Sequence, residues 1–454
     1  MRIIGSIVKW SLMALIVAAI GLAGWLYVAP PELVRLGTAY SAKMVCSNAF
    51  LAGRDGQEVL SVDVQSPGHP LLGYISVDVD EEAGSATAHL LGLFAPAVAS
   101  HREGFGCSSM PEGVEEAVEL PAQPALPAPN LTAQWPVGER VRDENPEIAA
   151  ILANDDLAGP GMRAVVVVQG GRIVAERYAD GFSAESPLLG WSMTKTVTAA
   201  IVGTLIRDGR LALDQDGLRD IWAGDARSEI TLADLLSMSS GLEFNEDYGD
   251  VTDVTRMLYF APDMAGFAAD KELAAPPGER FSYSSGTSVI VSRIWQDVFD
   301  APADALRWPR EALFGPLGMT SAIMETDANG TFVGSSYLYA TARDWARFGL
   351  LLARDGRWLG RRILPEGFVA WMREPSPASG GQYGNGHVWL RGPGSAGDNV
   401  GLPEDTFWML GHDGQTTTII PSLDLVVVRL GLTPSRLAYR PQPMVALIAD
   451  VVRD

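Results

Sequence analysis

Ser192-Met193-Thr194-Lys195 opens a stretch running to Ile206 in which Val197, Ile201 and Leu205 recur at spacings of four, the period of a helix with a buried face. On a helix, residues i and i+3 are neighbours, with Cβ atoms about 5–6 Å apart, so Lys195 can reach the Ser192 hydroxyl. A serine hydroxyl is a weak nucleophile until a base takes its proton. A lysine ordinarily holds its proton to about pH 10.4, so it serves as that base only where burial or a nearby cation lowers its pKa. The start of an apolar helix offers the burial, and its free N–H groups offer a positive end for an oxyanion. The plain alternative is a capping serine and an exposed lysine. Lysine is scarce in this chain, which has only Lys9, Lys43, Lys195 and Lys271.

Working outward, the flanks predict an α+β fold. Ala164–Val168 and Ile173–Arg177 read as strands around a Gly170-Gly171 turn. Thr231-Leu232-Ala233-Asp234 resembles a capping box at the head of a short helix through Leu236. Phe260–Ala275 reads as mixed and helical, a further helix follows Ser284 through Val298, and Thr341–Ala353 reads as another. The period then changes to strands at Gly386–Arg391, Thr406–Leu410, Thr416–Pro421 and Asp424–Leu430, and Pro443–Val452 closes with an apolar helix. A hairpin first, helices between, then strands and a helix suit an antiparallel sheet built from both ends of the domain.

The N-terminal side is different in kind. Arg2 and Lys9 precede an uncharged run from Trp10 to Pro31, close to the ~20 residues that cross a bilayer. The positive charges ahead of it predict a cytoplasmic N-terminus, with everything after Val28 outside. Residues 1–30 are therefore expected to be an uncleaved signal anchor rather than a removed signal peptide. The Pro-rich stretch Pro121–Pro129 is expected to act as a linker. It would divide a small exported region, residues 31–130, from a catalytic domain, residues 131–454. Within the small region Val59–Val64 and Leu72–Val79 read as strands. Cys46 and Cys107 both fall there, and an even count outside the cytoplasm points to a disulfide, two separate buried thiols being the other reading.

Charge and composition exclude some classes. A formal net charge of −21 argues against nucleic-acid partners, which need clustered Lys and Arg. His69, His89 and His101 show no metal-ligand spacing with either cysteine, so neither metal nor cofactor is expected.

Three later segments carry chemistry. Tyr283, in the turn Pro277–Ser282 leading to a helix at Ser284-Ser285-Gly286, is placed to relay a proton if a lysine ammonium lies beside it. Gly411-His412-Asp413-Gly414-Gln415 precedes an apolar strand, where glycines let a backbone approach a ligand. Leu235–Leu242, serine-rich, lies between the first motif and the tyrosine. Their plain alternatives are a packed aromatic and a simple turn.

Taken in order, these segments resemble the serine β-lactamase and penicillin-binding-protein superfamily in its class C-like branch, over about residues 140–454. Ser192-x-x-Lys195 resembles its first motif, Tyr283-Ser284-Ser285 its Tyr-x-Asn motif, and His412-Asp413-Gly414 its Lys-Thr-Gly strand. Pro316-Leu317-Gly318-Met319 and Tyr339–Asp344 resemble it too. The resemblance implies a β-lactamase/transpeptidase-like fold: an antiparallel sheet flanked by helices, with a mostly helical subdomain. It also implies a Ser192 acyl-enzyme, acid–base work by Lys195 and Tyr283, and an oxyanion hole of the Ser192 and Gln415 amides. His412 in the lysine position and Ser285 in the asparagine position depart from the pattern that holds a β-lactam. They are closer to the family VIII-type esterases and 6-aminohexanoate-dimer hydrolases. Ser285, His412 and Gly414 are then expected to bind substrate. Tyr248 joins them through Asn245-Glu246-Asp247-Tyr248, which resembles the segment carrying a substrate tyrosine in the dimer hydrolases. The expected partner is a small ester or amide, with a membrane at the N-terminal helix. The alternatives are a β-lactamase or D-Ala peptidase, a catalytically weak binding protein on the same fold, and a Ser-His-Asp hydrolase. The last would need a G-x-S-x-G elbow, which the sequence lacks.

Overall fold

The computed structural model describes residues 2–142, 144–394 and 399–453. The chain divides into two compact units. The first comprises the chain up to His101, Cys107–Glu116 and Asp247–Pro262; the second comprises Arg102–Gly106, Ala117–Glu246 and the chain from Asp263 on.

The first unit begins with helix α1, Arg2–Val28, of which Ser6–Val28 is 23 residues with a mean hydropathy of 2.1 and no burial. At 1.5 Å per residue that segment is about 35 Å long, enough to cross a hydrocarbon core of about 30 Å. Helix α2, Glu32–Ala52, follows Pro31 and packs on a four-stranded antiparallel sheet. Its strands are β1 (Ile75–Asp80), β2 (Ser85–Leu90), β3 (Phe94–Arg102) and β4 (Gly106–Met110). Cys46 on α2 is disulfide-bonded to Cys107 on β4, as expected. Closing a loop of 61 residues, the bond removes enough freedom from the unfolded chain to stabilise the unit by about 4 kcal/mol.

Val59–Val64 is helical, not a strand. Asp55 accepts a hydrogen bond from the Glu58 amide and starts a helical run from Gly56 to Gln65. Val59, Leu60, Asp63 and Val64 share its buried side, a spacing of three and four that the period-two reading missed, and Asp63 pairs with Arg54. A helix at Asp253–Phe260, absent from the sequence reading, also belongs to this unit and packs on α2. Tyr259 meets Tyr40 edge-on with ring centroids 5.7 Å apart, Arg256 pairs with Glu32, and Arg35 lies over the Phe260 ring.

The second unit is built on a five-stranded antiparallel sheet drawn from both ends of its sequence. Strands β5 (Met162–Gln169) and β6 (Arg172–Tyr178) form the expected hairpin. Helix α3 (Met193–Arg207), helix α4 (Ser285–Asp297) and helix α5 (Ala342–Ala353) follow. Then come β7 (Phe407–Gly411), β8 (Gln415–Ile420), β9 (Leu425–Gly431) and helix α6 (Gln442–Arg453). The order across the sheet is β7-β8-β9-β5-β6. Val165 and Val167 face a cluster that includes Ile148, Met444 and Ile448, while α5 packs on the other face against β5, β8 and β9. Covered on both sides, Ala164–Val168 is an unbroken buried run rather than an alternating one. Gly386–Arg391 is not a strand: only Trp389 pairs, through isolated bridges to Tyr383 and Trp408.

The Pro-rich stretch does not divide the units. Residues 117–129 belong to the second, where Gln123 donates to the Leu306 carbonyl and the Pro124 carbonyl accepts from Arg310. Extended proline backbone leaves its carbonyls unpaired, and here a surface arginine uses one.

Candidate active site

Helix α3 is buried from Met193 through Leu205. Ser192 stands at its N-cap, yet its hydroxyl makes no capping hydrogen bond. The capping alternative therefore describes the residue's place and not the use of its side chain. Backbone geometry before it is unusual: Trp191 has φ 47°, in the left-handed region, at a strain of about 1–3 kcal/mol. Trp191 packs against Tyr337 and meets the His412 ring edge-on, which holds the strained residue in place.

Lys195 is 1% exposed. Its Nζ lies 3.1 Å from Ser192 Oγ, 3.0 Å from Ser285 Oγ and 3.0 Å from the Ser335 carbonyl oxygen. Three fixed partners give the amine one orientation. Burial lowers its pKa to about 8, against the opposing charge of Glu246. The burial that the sequence required of this lysine is present.

Tyr283 sits just ahead of α4, with the Ser192 side chain near enough to its hydroxyl to influence its pKa. Its ring packs on Tyr383 and Trp389, and Lys195 Nζ stands 4.8 Å from the ring centroid. Burial, with the charge of Glu246, raises the phenol pKa, against the influence of Ser192. The expectation that the lysine eases the tyrosine proton away is thus reversed in the resting site, because a phenolate in that setting is poorly solvated and faces a carboxylate.

Ser285 also departs from its expected role. It is 0% exposed at the first turn of α4, and its hydroxyl accepts from Lys195 and donates to Glu246 Oε1 at 2.5 Å. With its hydroxyl committed on both sides and no exposed surface, it supports the lysine rather than touching substrate. Glu246, whose second oxygen accepts from the Ser285 amide at 2.7 Å, is a site residue the sequence reading passed over. The signal was present two residues before Tyr248, in a segment read for its tyrosine. Tyr248 itself lies in the first unit's Asp247–Pro262 stretch and is 38% exposed.

His412-Asp413-Gly414 forms the tight turn joining β7 to β8 rather than a strand, with Asp413 at φ 55° and Gly414 at φ 81°. Three residues between paired strands must reverse direction at once, and a glycine in the left-handed region allows it. The turn is brought against the nucleophile by Gly411: a Cβ there would stand 2.2 Å from the Gly190 carbonyl oxygen, so only glycine permits the approach. The His412 side chain is 45% exposed and 3.5 Å from Asp413. Gln415 is buried, and its side-chain amide donates to the carbonyls of His412, Asp413 and Gly431, bracing the turn. A cavity of about 450 Å³ runs along the turn, walled by His412, Asp413, Gln415, Thr433, Tyr439 and Arg440; Ser192 and Lys195 are not among its walls.

His387 is buried behind the site. Its Nδ1 is 3.1 Å from the Lys195 carbonyl and its Nε2 is 3.4 Å from the Leu235 carbonyl, and burial lowers its pKa to about 4. Both nitrogens face backbone oxygens, so this histidine is no base for Ser192. Among the described residues, no cluster of three or more His, Cys, Asp or Glu is placed to hold a metal ion.

Comparison with known proteins agrees with this fold. The model of the beta-lactamase family matches residues 152–439. The 6-aminohexanoate-dimer hydrolase of Paenarthrobacter ureafaciens is 25% identical over 302 residues, 60% of this chain and 72% of the relative. Among solved structures, EstCE1, a hydrolase with promiscuous acyltransferase activity, is similar with a TM-score of 0.53 at 17% identity, over 68% of this chain and 98% of that one. The penicillin binding protein from Bacillus halodurans is similar with a TM-score of 0.50 at 17% identity, over 67% and 98% of the two chains. With a serine, a buried lysine and a tyrosine brought together at the head of α3, and a family match across more than half its length, this chain belongs to the beta-lactamase family of serine hydrolases.

Proposed function

We propose that this protein cleaves a small ester or amide by two-step acyl transfer through Ser192. The observation that carries the reading is the Lys195 amine, buried, lowered to a pKa of about 8 and 3.1 Å from Ser192 Oγ. In the first step Ser192 Oγ attacks the carbonyl carbon and its proton passes to Lys195. Tyr283 gives its phenolic proton to the leaving oxygen or nitrogen, leaving an acyl-enzyme with ammonium and phenolate side by side. That ammonium lowers the tyrosine's pKa only once it has formed, which fits a phenol held protonated at rest. In the second step water attacks the acyl carbon and its proton restores Tyr283, while Lys195 returns its proton to Ser192. The backbone amides of Ser192 and Gln415 are the donors assigned to the oxyanion.

His412 and Gly414 are assigned to substrate, in a class C-like arrangement, and Tyr248 is assigned to it on the resemblance of its segment alone. Replacement of the β-lactam-binding lysine by His412 favours esters or linear amides over β-lactams. The likeness to the dimer hydrolase supports the same preference. We further assign Ser6–Val28 as a membrane anchor with the catalytic unit outside the cytoplasm, supported by its hydropathy and the Cys46–Cys107 bond.

The test is covalent labelling with a fluorophosphonate together with hydrolysis of short p-nitrophenyl esters. Wild-type protein is expected to label at Ser192 and turn over ester, and Ser192→Ala to do neither. Folded wild-type protein that shows neither activity would make the binding-protein reading the better one.

A further inference from the structure

A chain of hydrogen bonds continues past the lysine, away from the nucleophile. Lys195 Nζ donates to Ser285 Oγ at 3.0 Å, and Ser285 Oγ donates to Glu246 Oε1 at 2.5 Å. The backbone amide of Ser285, one of the unpaired donors at the start of α4, donates to Glu246 Oε2 at 2.7 Å. Both oxygens of the carboxylate are thereby fixed on one residue, and that residue also holds the lysine.

We propose that Glu246 is a positioning residue for the base: through the Ser285 amide and hydroxyl, its carboxylate orients the Lys195 amine toward Ser192 and keeps that amine basic enough to take the serine proton. The inference rests on the acyl-transfer reading above and extends it by one residue.

Two opposing influences act on Lys195. Burial disfavours the ammonium, while the Glu246 charge favours it. Without the carboxylate, burial alone would carry the amine further down and weaken its hold on the proton it takes from Ser192. The other titratable groups around the amine are Tyr283, which faces it from ahead of α4, Tyr383 behind that ring, and His387 against the Lys195 carbonyl. Burial holds both phenols and this histidine in their neutral forms. Glu246, whose own pKa is raised by burial against the Lys195 charge and the Ser285 hydrogen bonds, is therefore the one carboxyl in this group that can act on the lysine. A short serine at position 285 suits this arrangement, because its single hydroxyl both accepts and donates.

A purely structural role is the competing explanation, since a carboxylate on a helix N-terminus stabilises the helix. It would alter melting and leave the lysine's titration alone. With four lysines in the chain, selective ¹³Cε-lysine labelling of the full-length protein in detergent micelles gives a spectrum simple enough to assign. Lys195→Met identifies the signal. Wild type is expected to titrate near pH 8, and E246Q at a midpoint lower by about 1–2 pH units. E246D, which keeps the charge but draws it back from Ser285, is expected to lower it by a smaller step, and carries the test if E246Q does not fold. A midpoint that stays in place or rises in these variants overturns the proposal. The pH dependence of Ser192 labelling by the fluorophosphonate, measured beside it, keeps the two readings apart. If the lysine midpoint moves and the labelling profile does not follow, Lys195 is not the base, while the link from Glu246 to the lysine stands.

Discussion

The two sides of the site are built differently. On the Lys195 side every polar atom described has a fixed partner, Lys195, Ser285 and Ser335 are buried while Ser192 and Glu246 are partly so, and the contacts come from four separate stretches around residues 195, 246, 285 and 335. On the His412 side a three-residue turn presents a half-exposed imidazole beside a cavity, and its bracing comes from backbone and Gln415. Burial with complete hydrogen bonding makes one side intolerant of change, since any lost partner leaves a polar group stranded in a dry interior. Exposure lets the other vary at little structural expense. Under the proposed function, chemistry is kept on the first side and substrate choice on the second.

That contrast can be broken by experiment. Lys195→Met is expected to cost on the order of 10²–10⁴ in kcat for p-nitrophenyl ester hydrolysis. In wild type the neutral amine is the active form, so the rate should rise with pH through about 8. A profile falling across that range would remove Lys195 as the base. His412→Lys is expected to change kcat on the ester by less than about tenfold while raising nitrocefin turnover relative to ester. A loss as deep as that of Lys195→Met would erase the distinction between the two sides. His387→Asn should have the smallest effect on turnover and act on stability instead. Unfolded chain binds a proton at this histidine below about pH 6.5, whereas the folded protein resists until about 4. The unfolded state is thus favoured as pH falls across that window, by about 3 kcal/mol in all. Asparagine tolerates the φ of 55° at this position and does not titrate. Chemical denaturation from pH 7 to 4 should show a flatter dependence in the variant, and parallel curves would refute it.

The legible parts of the molecule were those set by local pattern. The 3.6-residue period of α3, the Gly170-Gly171 hairpin, the Thr231 capping box and the closing strands all carry their structure in neighbouring residues. Ser192, Lys195 and Tyr283 were legible because motif order survives where spacing does not. Glu246 was not, because its meaning depends on Ser285 39 residues away. Tyr283's raised pKa was missed for a related reason: the sequence suggests a lysine nearby but not the depth of burial that outweighs it. Val59–Val64 misled because Leu60, Val62 and Val64 alternate as in a strand, while Val59, Leu60 and Val64 fit a helix as readily.

The helix Asp253–Phe260 has one more consequence. The chain leaves the second unit directly after Glu246, contributes this helix to the first, and returns at Asp263. An expression boundary drawn at residue 131 would thus discard α2 while keeping its packing partner. Val254, Met257 and Leu258, all buried here, would face water, at about 1.5–3 kcal/mol for each large side chain exposed. Soluble fragments of this hydrolase are better sought by cutting after α1 than by cutting at the prolines, and a shortened protein that aggregates would be reporting a severed first unit rather than a defective catalytic one.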